Sequence, residues 1–153
     1  MKRILVIGCN GSGKTPLARW LAEQLRLPLV VLDALPERAG TPPSAEEAWS
    51  RTVRTLADRD AWVMDGTYYA MVIERLPAAD GVVWLDFPRW RCVARLAWRE
   101  RAKAAFLRHA WRFHNETRAR IGAALQGSRY PTVVILRSPA EVSRFRAEFR
   151  LPA

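Results

Sequence analysis

Eight consecutive residues near the amino terminus, Gly8-Cys9-Asn10-Gly11-Ser12-Gly13-Lys14-Thr15, have the types and spacing to hold a phosphate. They fit G-x-x-x-x-G-K-[ST] without a gap. The glycines let the backbone curl tightly and approach a ligand, so that successive N–H groups of Gly8, Asn10, Gly11, Ser12 and Gly13 can cradle an anion. Lys14 is placed to reach the β- and γ-phosphates of ATP, and the Thr15 hydroxyl to sit on Mg²⁺. Cys9 fills a position whose backbone matters more than its side chain, and no chemistry is read into it. Pro16 falls in a first helical turn, where its missing N–H costs little.

Three carboxylates could serve the same phosphate: Asp33, Asp65 and Asp86, each ending an aliphatic run. Asp65 is favoured over Asp86 as the Mg²⁺ ligand because Gly66 follows it and allows close approach. Asp86 could instead cap the helix that Pro88 opens. Arg91, Arg95 and Arg99 recur every four residues and so share a helix face, from which they can neutralise a transferring phosphoryl group. Trp90, Trp98 and Trp111 are expected in the core or in lid packing. Tyr68 and Tyr69 could line an acceptor pocket or pack in the core. His109 and His114 lack partners at metal spacing.

The elements that must position these residues alternate. Ile4–Ile7, Leu29–Leu32, Ala61–Met64, Gly81–Leu85 and Thr132–Leu136 read as buried strands. Helices are expected from Leu17 to Leu25, from Ser44 to about Asp58, from Tyr68 to Leu76, from Pro88 onward with one break before Gly122 or Gly127, and from Ser138 to about Phe149. Continuous aliphatic strands between helices indicate a parallel sheet covered on both faces, with ligands at the carboxyl ends of the strands.

With 153 residues, half of them hydrophobic, the chain has enough apolar surface for one globular core. No apolar run reaches membrane-spanning length, and Lys2-Arg3 with its short aliphatic run is too brief for a signal peptide. Two cysteines far apart in sequence suggest a reduced, cytoplasmic protein. The formal charge is +10. It is concentrated between Arg89 and Arg120, where ten Lys or Arg face two Glu. Such a segment favours anionic partners, either nucleotide phosphates or nucleic acid.

The blocks GCNGSGKT, VMDGTYY, WLDFPRWRCVARLAWR and FLRHAWRFHNETRARI together resemble the adenylate-kinase-related P-loop proteins labelled DNA topology modulation proteins. The resemblance implies an α/β, three-layer P-loop NTPase fold with a five-stranded parallel sheet, like the nucleoside and shikimate kinases. It implies one kinase-like domain over residues 1–153, with a basic lid-like segment at about 89–120. It implies a Mg²⁺- and ATP-dependent transfer of the γ-phosphate to a small acceptor. Lys14 and Thr15 match the phosphate and metal positions, and Asp65-Gly66 matches the Asp-Gly that ends the third strand in adenylate kinases. Thr67-Tyr68-Tyr69 replaces the Phe-Pro-Arg associated with AMP, which argues against an AMP acceptor. Arg95 and Arg99 match the arginine pair that opens the adenylate kinase lid. Asp33 matches an acceptor-binding Asp of shikimate-type kinases. Glu100 to Ala105 is shorter than the usual lid insert, so the lid is expected to be short or continuously helical. The family label suggests the alternative of a nucleotide-regulated protein that binds nucleic acid and affects DNA topology, although no helix-turn-helix, zinc finger or RNA-binding motif is visible.

Overall fold

The strands form a single parallel sheet in the order β2-β3-β1-β4-β5. A computed structural model describes residues 1–35, 43–66, 72, 75–100, 107–108, 111–127 and 132–149, without the side chains of 43–46 and 99–100. In chain order the elements are β1 (Arg3–Gly8), α1 (Lys14–Leu25), β2 (Leu29–Val31), a 3₁₀ turn (Leu32–Ala34), α2 (Pro43–Ala57), β3 (Trp62–Asp65), a second 3₁₀ turn (Leu76–Ala78), β4 (Gly81–Leu85), α3 (Arg89–Glu100), a π-helical segment (Phe113–Thr117), α4 (Arg118–Gln126), β5 (Val133–Leu136) and α5 (Pro139–Glu148). The five expected strands are all present, each within a residue or so of the apolar run that predicted it. The helix expected over Tyr68–Leu76 falls mostly outside the described residues, though Val72 and Arg75 are helical.

Burial shows why the apolar runs are continuous. Every residue of β3 and β4 is buried, and so is every residue of β1 after Arg3. Successive strand residues point to opposite faces, so burial without alternation requires cover on both sides of the sheet. The edge strands β2 and β5 are only partly buried. Trp62, wholly buried at the start of β3, donates its indole N–H to Ala57 O at the end of α2 (3.1 Å). Its polar atom is thereby satisfied inside the core. At the other end of the order, Trp20 on α1 meets Phe145 and Phe149 edge-on, which packs α5 against α1.

Two junctions set the site. In β1 and β4, Gly8 pairs with Leu85. A Cβ on Gly8 would lie 2.7 Å from Leu85 O, so the phosphate loop departs hard against the end of β4. At the far end of α1 the chain leaves through Arg26, which adopts a left-handed φ of 54° while its N–H and that of Leu27 close the last turn on Glu23 O and Ala22 O. Such an exit normally uses glycine. Among the described residues no helix is long and apolar enough to cross a membrane.

Candidate functional site

The loop between β1 and α1 takes the shape its sequence predicts. Gly11 and Gly13 have φ of 83° and 93°, a region disfavoured for residues with a Cβ. Ser12 N–H donates to Cys9 O at 3.0 Å, which closes the turn. Lys14 begins α1 and is buried, with its ammonium folded back over the loop onto Cys9 O (3.2 Å) and Asn10 Oδ1 (3.4 Å). Ser12 Oγ is buried beside Gly8 without a hydrogen-bond partner among the described residues. The Lys14 ammonium and the Ser12 hydroxyl are thus both buried against the loop.

Thr15 and Asp65 meet directly. The Thr15 hydroxyl donates to Asp65 Oδ2. The contact follows from β3 lying beside β1, which sets Val6 opposite Asp65 at the strand ends. Asp65 is almost wholly buried, and its second oxygen, Oδ1, has no hydrogen-bond partner among the described residues. Burial pushes its carboxyl above the usual carboxylate range. Lys14 and the Thr15 hydroxyl pull it down, Asp33 pushes it up, and Arg75 pulls it down. An orphaned carboxylate oxygen next to a hydroxyl is the oxygen-rich donor set that a hard divalent cation such as Mg²⁺ takes. The residues fit the metal that the sequence implies.

Of the three strand-end carboxylates, two act on each other. Asp33 sits in the 3₁₀ turn that follows β2 and acts electrostatically on Asp65. Asp86 does not join them. Both its oxygens accept from Arg118, at 2.6 Å from Nε and 2.8 Å from Nη2. A buried carboxylate draws a cation, and here Arg118 supplies it from α4.

Of the arginines on α3, Arg95 is the one that reaches the loop among the described side chains. A Cβ on Gly13 would lie 3.4 Å from Arg95 Nη1, so the Arg95 guanidinium hangs directly over the loop. Arg91 is exposed one turn earlier. The Arg99 side chain lies outside the described residues, as do Tyr68, Tyr69, Arg101, Lys103 and His109. Of the two placements expected for the tryptophans, the core is excluded, since Trp90, Trp98 and Trp111 are 63%, 87% and 48% exposed. The buried face of α3 is already filled by Cys92 and Leu96, which leaves Trp90 and Trp98 pointing outward. Trp90, Arg91, Ala94, Arg95, Trp98 and Pro139 line a cavity of about 540 Å³ beside the loop.

Two features escaped the sequence. Arg75 is completely buried, donates from Nη2 to Gly66 O at 3.0 Å, and adds a second cation behind Asp65. Its signal was available: Val72, Arg75 and Leu76 fall on one helical face, and the two apolar members are buried. The other is Cys9, whose thiol hydrogen-bonds to Cys92 on α3. That bond, with burial, pushes the Cys9 thiol far up and holds it protonated. The two cysteines are distant in sequence but adjacent in space, so Cys9 seats α3 on the loop. Gly11 completes the joint, since a Cβ there would lie 2.5 Å from Cys92 O and 2.9 Å from Leu96 Cγ.

The chain matches no protein-family model, and no curated protein matches it in sequence. Its fold has clear counterparts among solved structures. Shikimate kinase from Acinetobacter baumannii in complex with shikimate is 17% identical, with a TM-score of 0.70 over 96% of this chain and 90% of that one. A sugar kinase from Janibacter is 20% identical, with a TM-score of 0.63 over 96% of this chain and 92% of that one. A gluconokinase from Sinorhizobium meliloti is 18% identical, with a TM-score of 0.58 over 94% and 87%. At these identities the likeness is one of architecture, and the architecture is that of the shikimate-kinase-like P-loop NTPases.

Proposed function

We propose that the protein is a small-molecule kinase that moves the γ-phosphate of ATP to a hydroxyl-bearing acceptor. The observation that carries this reading is the Thr15–Asp65 contact at the mouth of an intact phosphate loop. In this reading residues 1–153 act as one kinase-like domain, and residues 89–120 form its lid. The loop N–H groups and Lys14 bind the β- and γ-phosphates. Thr15 and Asp65 hold Mg²⁺, which when bound neutralises charge developing on the phosphoryl oxygens. Arg95, and with it Arg99, clamps the transferring group from α3. The nucleotide base rests in the cavity between Trp90, Arg95 and Pro139, which explains why tryptophans line a surface instead of the core. Asp33 faces the acceptor and orients its hydroxyl. The nearby Asp65 and Arg75 fix the local charge against which that hydroxyl must lose its proton.

A panel of sugars, sugar acids, hydroxy acids and nucleosides incubated with γ-labelled ATP tests the reading. One acceptor should become labelled, and Lys14→Ala should weaken ATP binding by about 1.5–3 kcal/mol in calorimetry. Equal ATP affinity in wild type and variant defeats the assignment.

The exposed tryptophans on a strongly basic segment favour a second reading, a nucleotide-regulated protein that binds nucleic acid and alters DNA topology. It accords with the family that the sequence blocks resemble. It demands DNA affinity that falls steeply with salt, to which Arg91, Arg95 and Arg108 contribute about equally. Selective loss of turnover on removing Arg95 supports the kinase instead.

A further inference from the structure

A second cavity of about 390 Å³ opens where α3 begins, and it is lined by Asp86, Phe87, Arg89, His114, Arg118 and Arg137. The kinase reading assigns it no ligand, although Arg89, His114 and Arg118 fall within its lid segment. Asp86 comes from the end of β4, Arg137 from the end of β5, and His114 and Arg118 from the π-helical segment and the start of α4. The wall therefore joins elements that meet only in the folded sheet.

Its charge is unbalanced. Asp86 is the one carboxylate on the wall among the described residues, against three guanidinium groups. Arg118 satisfies both Asp86 oxygens with two of its donors. A guanidinium has five N–H donors, so pairing with one carboxylate does not exhaust it. Arg137 approaches Asp86 Oδ2 only to 3.9 Å, beyond hydrogen-bond reach, and its side chain is 64% exposed. Arg89 is steadied over the Trp111 ring (4.6 Å to the centroid) and by Asn115 Oδ1 at 3.4 Å. Two positive charges thus remain on a preformed wall after Asp86 is neutralised.

His114 adds a polar requirement. Its Nε2 lies 2.7 Å from Phe87 O. A carbonyl can only accept, so Nε2 carries the hydrogen and Nδ1 of the neutral ring is an acceptor. Nδ1 is buried and has no hydrogen-bond partner among the described residues. A buried acceptor left unmade is costly, and a ligand hydroxyl would satisfy it.

We propose that this cavity is a second ligand site, separate from the phosphate loop, for a small hydroxylated phosphate monoester. The phosphate is held between Arg89 and Arg137, with Arg118 fixed by Asp86 as the floor, and a ligand hydroxyl donates to His114 Nδ1. The volume suits a five-carbon sugar phosphate and is too small for a dinucleotide. Arg89, His114 and Arg118 fall in the lid segment of the kinase reading, but none of the site's residues belongs to the loop, to the Thr15–Asp65 pair or to the Arg95 face, so the titrations below separate the two readings.

Calorimetry tests it with ribose 5-phosphate, inorganic phosphate and ribose as probes. Each is titrated into the full chain presaturated with Mg²⁺ and a non-hydrolysable ATP analogue, and again into the chain alone. Ribose 5-phosphate should bind with the same affinity in both, because the loop is not its site. Arg137→Ala and Arg89→Gln, both at exposed positions that leave the Asp86–Arg118 pair intact, should each weaken it about tenfold or more. Arg137→Ala, outside the lid segment, should bind the ATP analogue as wild type does. His114→Phe should lower affinity for ribose 5-phosphate and leave that for inorganic phosphate unchanged. Absence of ribose 5-phosphate binding, equal affinity in wild type and both arginine variants, or displacement by the ATP analogue each overturns the proposal. Failure of the analogue itself to bind counts against the kinase reading alone, since the titration into the unliganded chain still reports on this cavity.

Discussion

Replacing Asp65 by Asn should stabilise the protein while disabling it. Asp65 is about 1% exposed, and burial is the largest influence on its carboxyl, raising its pKa from the ordinary 3.8 against the opposing pull of Lys14, Thr15 and Arg75. A carboxyl with a raised folded-state pKa binds more protons folded than unfolded. Stability is then lost as pH rises from the unfolded value through the folded one. For Asp65 the loss begins near 3.8 and grows until the folded-state value is passed. Asn does not titrate, and its carbonyl oxygen can still accept from Thr15. Each pKa unit of strain relieved is worth about 1.4 kcal/mol, which moves Tm by roughly 3–6 °C in a chain of this size. The ligand-bound protein should behave oppositely. Mg²⁺ with an ATP analogue at about 100 times its Kd adds ~2.7 kcal/mol to wild type, roughly 5–11 °C, and the variant should gain clearly less. Turnover should fall ~10²-fold or more, because the metal loses its anchoring carboxylate. Differential scanning fluorimetry with and without ligand reads both effects. A variant that melts below wild type without ligand at neutral pH refutes the account of Asp65 as a strained, functional carboxylate. A larger loss of turnover in Asp86→Asn would assign the metal ligand to the end of β4 instead of β3.

The remaining expectations concern the lid, the Asp86 pair and the exit from the first helix. Arg95→Ala should cut turnover ~10²-fold with little change in Tm, as its guanidinium sits over Gly13 at the surface, and Arg99→Ala should do the same; unchanged kcat in both removes α3 from the chemistry. Arg118→Ala should lower stability by about 1–3 kcal/mol in urea melts, less than for a fully buried pair because the arginine is 48% exposed while the Asp86 side chain is 4% exposed. Unaltered stability would mean that the Asp86 carboxylate is reached by water. Arg26→Gly should raise stability by about 1 kcal/mol by relieving a left-handed φ of 54°, and a loss in the same melts would show that the arginine side chain contributes more than the backbone costs.

Some of this protein was already determined by local sequence. The strands were legible because a sheet covered on both faces selects uninterrupted aliphatic runs, which need no partner to be recognised. The phosphate loop was legible because backbone geometry dictates where glycines must stand, and because Lys14 and Thr15 follow within the same turn. Asp65 was favoured over Asp86 on the strength of the adjacent Gly66, and the Thr15 hydroxyl donates to it.

What the sequence could not decide depends on which surfaces the sheet order brings together. Asp33, Asp65 and Asp86 look alike as strand-end acids, but the order β2-β3-β1-β4-β5 puts the first two on one side of the loop. The same order places Asp86 within reach of Arg118, thirty-two residues away. Cys9 and Cys92 acquire a relationship only when α3 lies on the loop, because no local pattern couples residues so far apart. The tryptophans were expected in the core or in lid packing, and sequence alone does not choose between the two. A helix can bury only one face, and on α3 Cys92 and Leu96 take that face, which turns Trp90 and Trp98 outward.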